Sequence, residues 1–199
     1  MKVKKKRFST AVRKEQIKDM ILKILFEEGK NKLTTKYIAQ KLQLSEGALF
    51  RHFSGKSDMF ESILDDVIVQ LLGTLKEIAI TELPPDKKLE ELICFTLSYL
   101  YKNKGITLLI FTEASEKDDT KLKQKLEYIY RQQKVLFKKI VWEGIRAGIW
   151  QRHTNVEALS TLYMGIPVTM NLEILLHEQD CQLDKFCNDM KDIILKILS

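Results

Sequence analysis

The apolar positions of the chain fall at helical spacing along most of its length. Ile17, Met20, Ile21, Ile24 and Leu25 recur with gaps of 3, 1, 3 and 1, which is one face of an amphipathic helix. This predicts a helix over residues 13 to 28, closed by Gly29 as a C-terminal cap. Residues 1 to about 12 read as a flexible basic arm. A second long helix is expected over residues 56 to 80, stopped by Pro84 and Pro85. Leu89, Leu92, Ile93, Thr96, Leu97 and Leu100 share a face of a helix over 86 to 101. Residues 106 to 114 are short and apolar. A long helix over 118 to 147 ends at Gly148, Asn155 caps one that reaches about residue 177, and residues 183 to 198 form the last. No stretch alternates with period 2 for long enough to make a strand. The fold class is therefore all-α with about nine helices.

Between the first two long helices lies a compact segment, residues 33 to 53. Thr34 or Thr35 caps a short helix whose inner face is Ile38, Ala39 and Leu42. Ala39 is small enough for a second helix to cross closely. Gln43 and Leu44 leave room only for a tight turn. Ser45 then caps a very short helix that sends Leu49 and Phe53 inward. Two short helices, a tight turn and a polar outer face on the second helix make a helix-turn-helix. The major groove admits one helix, and side chains near its N-terminus read base edges. The outward set is Ser45, Glu46, Gly47, Ala48, Phe50 and Arg51. Small residues there let the backbone approach. Arg51 suits a guanine or a phosphate, and Glu46 a cytosine amino group. Lys56 opens the next helix, where a phosphate is also well placed.

Charge adds to this picture. Residues 1–58 hold 15 basic and 6 acidic side chains, while residues 59–199 hold 18 and 21. The basic front meets a polyanion or is merely a solvated face. Gly is 8 and Pro 3 in 199 residues, too few for a hairpin-rich sandwich or barrel. Three cysteines, Cys94, Cys181 and Cys187, form no C-x-x-C pair and read as reduced thiols. No apolar stretch approaches the roughly 18 residues of a membrane span. A cytoplasmic protein without membrane contact is expected.

The run Thr35-x-x-Ile38-Ala39-x-x-Leu42-x-Leu44-Ser45-x-Gly47-x-Leu49-Phe50-x-His52-Phe53-x-x-Lys56-x-x-Met59 resembles the DNA-binding domain of the tetracycline-repressor (TetR) family. The likeness covers about residues 13 to 64. Glu143-Gly-Ile-Arg-Ala-Gly-Ile-Trp150 resembles, more weakly, the end of that family's seventh helix. The resemblance implies a three-helix DNA-binding domain over residues 1–55, and a helical effector-binding and dimerisation domain over 56–199. It implies a homodimeric repressor that joins through its last two helices and binds a pseudo-palindromic double-stranded operator under control of a small effector. The DNA-contact set is Thr34, Thr35, Lys36, Ser45, Glu46, Gly47, Ala48, Phe50, Arg51, His52 and Lys56. Two positions depart from the family: Phe50 replaces the usual Tyr, and Gln43 stands where the turn usually has Gly, which would strain a left-handed backbone.

For the effector pocket, Phe95, Tyr99, Phe111, Tyr128, Trp142, Tyr163 and Met170 occupy plausible inward positions, each competing with a plain core role. Pro167 inside a helix opens space, and sparse charge suggests a largely apolar effector. No cofactor is expected. A metal is not expected either, since His177 and Cys181 give only two ligands. An enzyme is disfavoured, for no Gly-rich phosphate loop, G-x-S-x-G or H-E-x-x-H is present. The remaining alternatives are a DNA-binding protein of the same fold without an effector, and a membrane-surface protein using Lys2 to Arg7.

Overall fold

The computed structural model describes residues 9–104, 106, 109, 120–176 and 182–199. Helix α1 spans Thr10–Glu28, with Ser9 accepting from the Val12 N–H at its start. It begins a turn earlier than the apolar stripe alone implies, because the cap and not the first apolar residue sets the end. Residues 10–12 are thus helical and not part of an arm; residues 1–8 lie outside the described residues. Gly29 closes α1 with φ 79°. Helix α2 is Thr35–Lys41 and α3 is Glu46–Leu49, capped by the hydroxyls of Thr34 and Ser45 on the N–H groups of Tyr37 and Ala48.

Helix α4, Lys56–Asp66, runs into a π-helical segment, Val67–Leu72, and then into α5, Gly73–Ile80. The single long helix expected over 56 to 80 is therefore continuous but under-wound at its centre. Helix α6, Pro85–Lys102, takes Pro85 in its first turn, where no N–H is needed. Helices α7 (Thr120–Arg146), α8 (Val156–Leu176) and α9 (Leu183–Leu198) complete the described structure. Of the apolar stretch 106–114, Ile106 and Leu109 are described, and both are buried.

One apolar core runs through all of this, from Ile17, Ile21 and Ile38 in front to Leu159, Ile194 and Leu198 behind. Each such side chain contributes about 1.5–3 kcal/mol on burial. At its centre Phe137 of α7 stacks on Tyr163 of α8, centroids 4.6 Å apart. The Thr96 hydroxyl donates to the Leu92 carbonyl, so the Tyr163 hydroxyl must donate to Thr96 at 3.1 Å. Burial pushes the Tyr163 phenol well above its ordinary value, against the smaller downward pull of that bond. Gly144 lies under the Trp150 ring, where a β-carbon would collide with it.

Two expectations need correction. Cys94 of α6 and Cys187 of α9 form a disulfide, Cα atoms 5.5 Å apart, and so are not free thiols. Sequence separation of 93 residues hid the pair, because no local spacing rule reaches that far. Helix α8 is also long and apolar enough to cross a membrane by length and composition. Here it packs a buried face, including Leu159, Tyr163, Ile166 and Met170, into the core.

Candidate nucleic-acid interface

Helices α1, α2 and α3 hold the recognition segment from behind. Ile38 and Ala39 of α2 are buried, as are Leu49 at the end of α3 and Phe53 after the turn that follows it. Anchoring on one side leaves the other side outward. Ser45, Glu46, Gly47, Phe50 and Arg51 are exposed, and Ala48 and His52 are partly so. Thr34 and Lys36 are exposed on α2, and Thr35 and Lys56 are half-buried. All eleven predicted contact residues thus fall on the two short helices, the turn after α3 and the start of α4.

Polar bonds fix this surface. The Thr35 hydroxyl donates to Glu46 at 2.5 Å, tying α2 to α3 and occupying one oxygen of that carboxylate. Gln43, in the turn between them, has φ 55°, the left-handed conformation its position demands. At the start of α4 the Ser54 N–H donates to Asp58 at 2.8 Å. The Lys56 ammonium stands 5.0 Å from the Phe60 ring centre, which holds it near the helix start.

Arg13 and Lys14 join this surface, although the sequence reading gave them no role. Lys14 stands over the Phe53 ring at 4.8 Å. The His52 pKa is held below 6.5, first by burial and then by Arg13, Arg51 and Lys14. Arg13 and Lys14 of α1 and Arg51 just past α3 therefore bring positive charge to bear on His52, whose Nδ1 has no hydrogen-bond partner among the described residues. Such a cluster is poised for a phosphate. Its signal was present in the sequence, as two basic residues on the first turns of a helix that packs behind the motif. Phe50 is 46 % exposed, an apolar side chain turned outward on the reading face.

The effector candidates fare differently. Tyr128 and Trp142 point outward, 41 % and 45 % exposed, which corrects their expected inward position. Tyr163 and Met170 are buried, Tyr99 is buried with its phenol pushed up to about 12 by desolvation and then by Asp66, and Phe95 is half-buried near Tyr99. Phe111, His177 and Cys181 lie outside the described residues. An apolar cavity of about 190 Å³ does open between the π segment, α6, α7 and α8, with Gln133, Met164 and Pro167 in its wall. None of the six described candidates lines it. Gln133 carried a legible signal, since it sits between Ile129 and Leu136 at the spacing of an apolar stripe. Among the described residues, no group of three or more side chains is arranged to hold a metal ion.

Comparison with known proteins places this geometry. Residues 19–63 match the profile of "Bacterial regulatory proteins, tetR family". The nucleoid occlusion factor SlmA of Aliivibrio fischeri is 29 % identical over 136 residues, covering 66 % of this chain and 69 % of that protein. The ketosteroid transcriptional regulator KstR2 of Mycobacterium tuberculosis has the same fold, with TM-score 0.80 and 16 % identity over 94 % of this chain and 95 % of that one. So does the transcriptional regulator FadR of Bacillus subtilis in complex with stearoyl-CoA, with TM-score 0.72 and 19 % identity over 93 % and 99 %.

Proposed function

From the match of residues 19–63 to the tetR family of bacterial regulatory proteins, we propose that the chain is a homodimeric, sequence-specific transcriptional repressor of that family. It binds a pseudo-palindromic operator and is controlled by a small, largely apolar effector. Residues 1–55 form the DNA-reading unit and residues 56–199 the unit that dimerises and binds the effector. The observation that carries the reading is the surface just described: a short helix anchored by Leu49 and Phe53 that presents small and polar residues outward, flanked by Arg13, Lys14, Arg51 and Lys56.

Dimerisation rests on α8 and α9. Leu162, Leu172 and Leu176 of α8 and Ile193 and Ile197 of α9 are 47–73 % exposed, at helical spacing. Two apolar stripes of this kind need a cover, and a second copy related by a two-fold axis supplies it with the same surface. The dimer then sets two recognition helices one DNA turn, or a multiple of it, apart. The effector acts by preferring the conformation in which that spacing is wrong.

The test is an anisotropy titration of the full chain on the DNA upstream of its own gene, with competitor DNA and at two salt concentrations. The reading expects tight binding that survives competitor and falls steeply in Arg51→Ala and Lys56→Ala. Binding that vanishes with competitor, or is untouched by both substitutions, contradicts it.

A second reading is favoured by the SlmA relatives. In it the chain binds DNA without an effector, in a nucleoid-associated role like the one their name describes. It predicts operator binding that no small molecule alters.

A further inference from the structure

We infer that the cavity beneath the π-helical segment is a binding site for a small, uncharged molecule carrying one carbonyl or hydroxyl group, and that Gln133 reads that group. The inference deepens the effector-controlled reading above and rests on it.

The chemistry of the wall sets the ligand class. Val67 and Leu71 of the π segment form one side, with Leu126 and Ile129 of α7 and Met164 and Pro167 of α8 opposite. Gln133 is 7 % exposed and is the one side-chain amide among the residues that line the cavity. An amide in an otherwise apolar wall is a fixed polar anchor, so an occupant that bonds to it is held more tightly than one of the same shape that cannot. The amide both donates and accepts, which suits a ketone, an ester, an alcohol or an amide.

Charge is excluded by the same wall, in which no ionisable side chain stands except the Tyr130 phenol at the edge. The Lys134 ammonium stands 5.9 Å from the centre of the Tyr130 ring and is bound to Glu157 at 2.7 Å. The Glu157 carboxyl is held down to about 2, first by its bond from Lys134 and next by the one from Lys138. That cation is therefore already neutralised and offers little to an anion.

Size narrows the class further. Apolar cavities of about 150 Å³ hold a benzene, and drug-sized ligands need roughly 300–1,000 Å³. At about 190 Å³ this one fits a single ring or a short chain of about nine non-hydrogen atoms.

The site lies where an occupant can act. Val67 and Leu71 belong to the under-wound turn, and Asp66 just before it is paired to Lys18 of α1. Lys125, next to the wall residue Leu126, binds Asp65 of α4 at 2.6 Å. Both neighbours of the cavity thus grip the helix that begins at Lys56. A π turn has an alternative in the regular α-helix, and a ligand that favours one winding over the other would shift that helix.

Three probes of nearly equal size separate the terms: acetophenone, ethylbenzene and benzoate. They are titrated into the full chain while the Met164 methyl resonance, assigned by Met164→Leu, is followed by NMR. Acetophenone is expected to shift it. Ethylbenzene should bind about tenfold more weakly, and benzoate about a hundredfold more weakly. Gln133→Leu should reverse the order of acetophenone and ethylbenzene, and Leu71→Trp should abolish binding with the helical circular dichroism retained. Benzoate binding as tightly as acetophenone, an unchanged order in Gln133→Leu, or a Met164 signal that no probe moves would overturn the inference. Repeating the acetophenone titration on the DNA complex separates the two readings. A Met164 shift with unchanged DNA affinity would overturn effector control while leaving the site itself in place.

Discussion

Lys18→Met removes the ion pair that fastens the DNA-reading helices to the end of α4. The Lys18 side chain is only 6 % exposed, and it reaches Asp66 and, at 2.7 Å, Glu15. Burial is the largest influence on its pKa and lowers it. The bonds and charges of Asp66 and Glu15 together outweigh burial, so the value ends above 10.5. Breaking a fully buried pair from one side costs about 3–5 kcal/mol, because the remaining charge is stranded. Here the Asp66 side chain is 34 % exposed and Glu15 61 %, so water recovers part of that. The expected loss is about 1–3 kcal/mol, a fall of about 1 M in the urea midpoint. The assay is urea unfolding followed by circular dichroism, at one fixed protein concentration because a dimer's stability depends on it. The pH dependence has a definite sign. A raised pKa gives stability that is full below 10.5 and is lost only as pH climbs through the higher folded value. The gap between wild type and Lys18→Met should therefore stay flat from pH 7 to about 10. Replacing both partners, in Lys18→Met with Asp66→Leu, should restore more than half of the loss, since no charge is then stranded. A single variant as stable as wild type would refute the reasoning.

Other consequences are as direct. Gln43→Gly should raise the unfolding free energy by about 1 kcal/mol, since it relieves a left-handed backbone at φ 55°; no gain in urea unfolding would mean the Gln43 side chain offsets that strain. His52 is held neutral near pH 7 by burial and then by Arg13, Arg51 and Lys14. A DNA phosphate raises its pKa in the complex, so DNA affinity should increase as pH falls from 8 to 6, and His52→Gln should flatten the profile. Removing the Cys94–Cys187 link, which closes 93 residues, should cost about 2–4 kcal/mol. Melting with and without reductant checks this, and melting of Cys94→Ser should be insensitive to it.

The helix-turn-helix was legible because each of its parts is local. Thr34 and Ser45 cap helices through bonds three residues long, and Ile38, Ala39, Leu49 and Phe53 follow helical spacing. The left-handed backbone at Gln43 was expected only through the family resemblance, which has Gly at that position. The cavity was not legible, because helical spacing says that a residue faces inward but not what it faces. Tyr163 and Met170 do face inward, yet they fill core, while Tyr128 and Trp142 lie on the opposite side of α7 from Gln133. The disulfide and the pairing of Lys18 with Asp66 join residues far apart in sequence, and only the packing of whole helices brings them together. The under-winding at Val67–Leu72 had no marker in a run of apolar residues that reads equally well as a regular helix.

The most direct test of the account is selection of duplexes from a random DNA library by the full chain at physiological salt, with the mass of the selected complex measured. The account predicts one enriched motif with two-fold symmetry, its half-sites a helical turn or a multiple apart, held by an even number of chains. A selected pool without a shared motif, with binding that disappears at modest salt, would leave only phosphate attraction and contradict sequence-specific regulation.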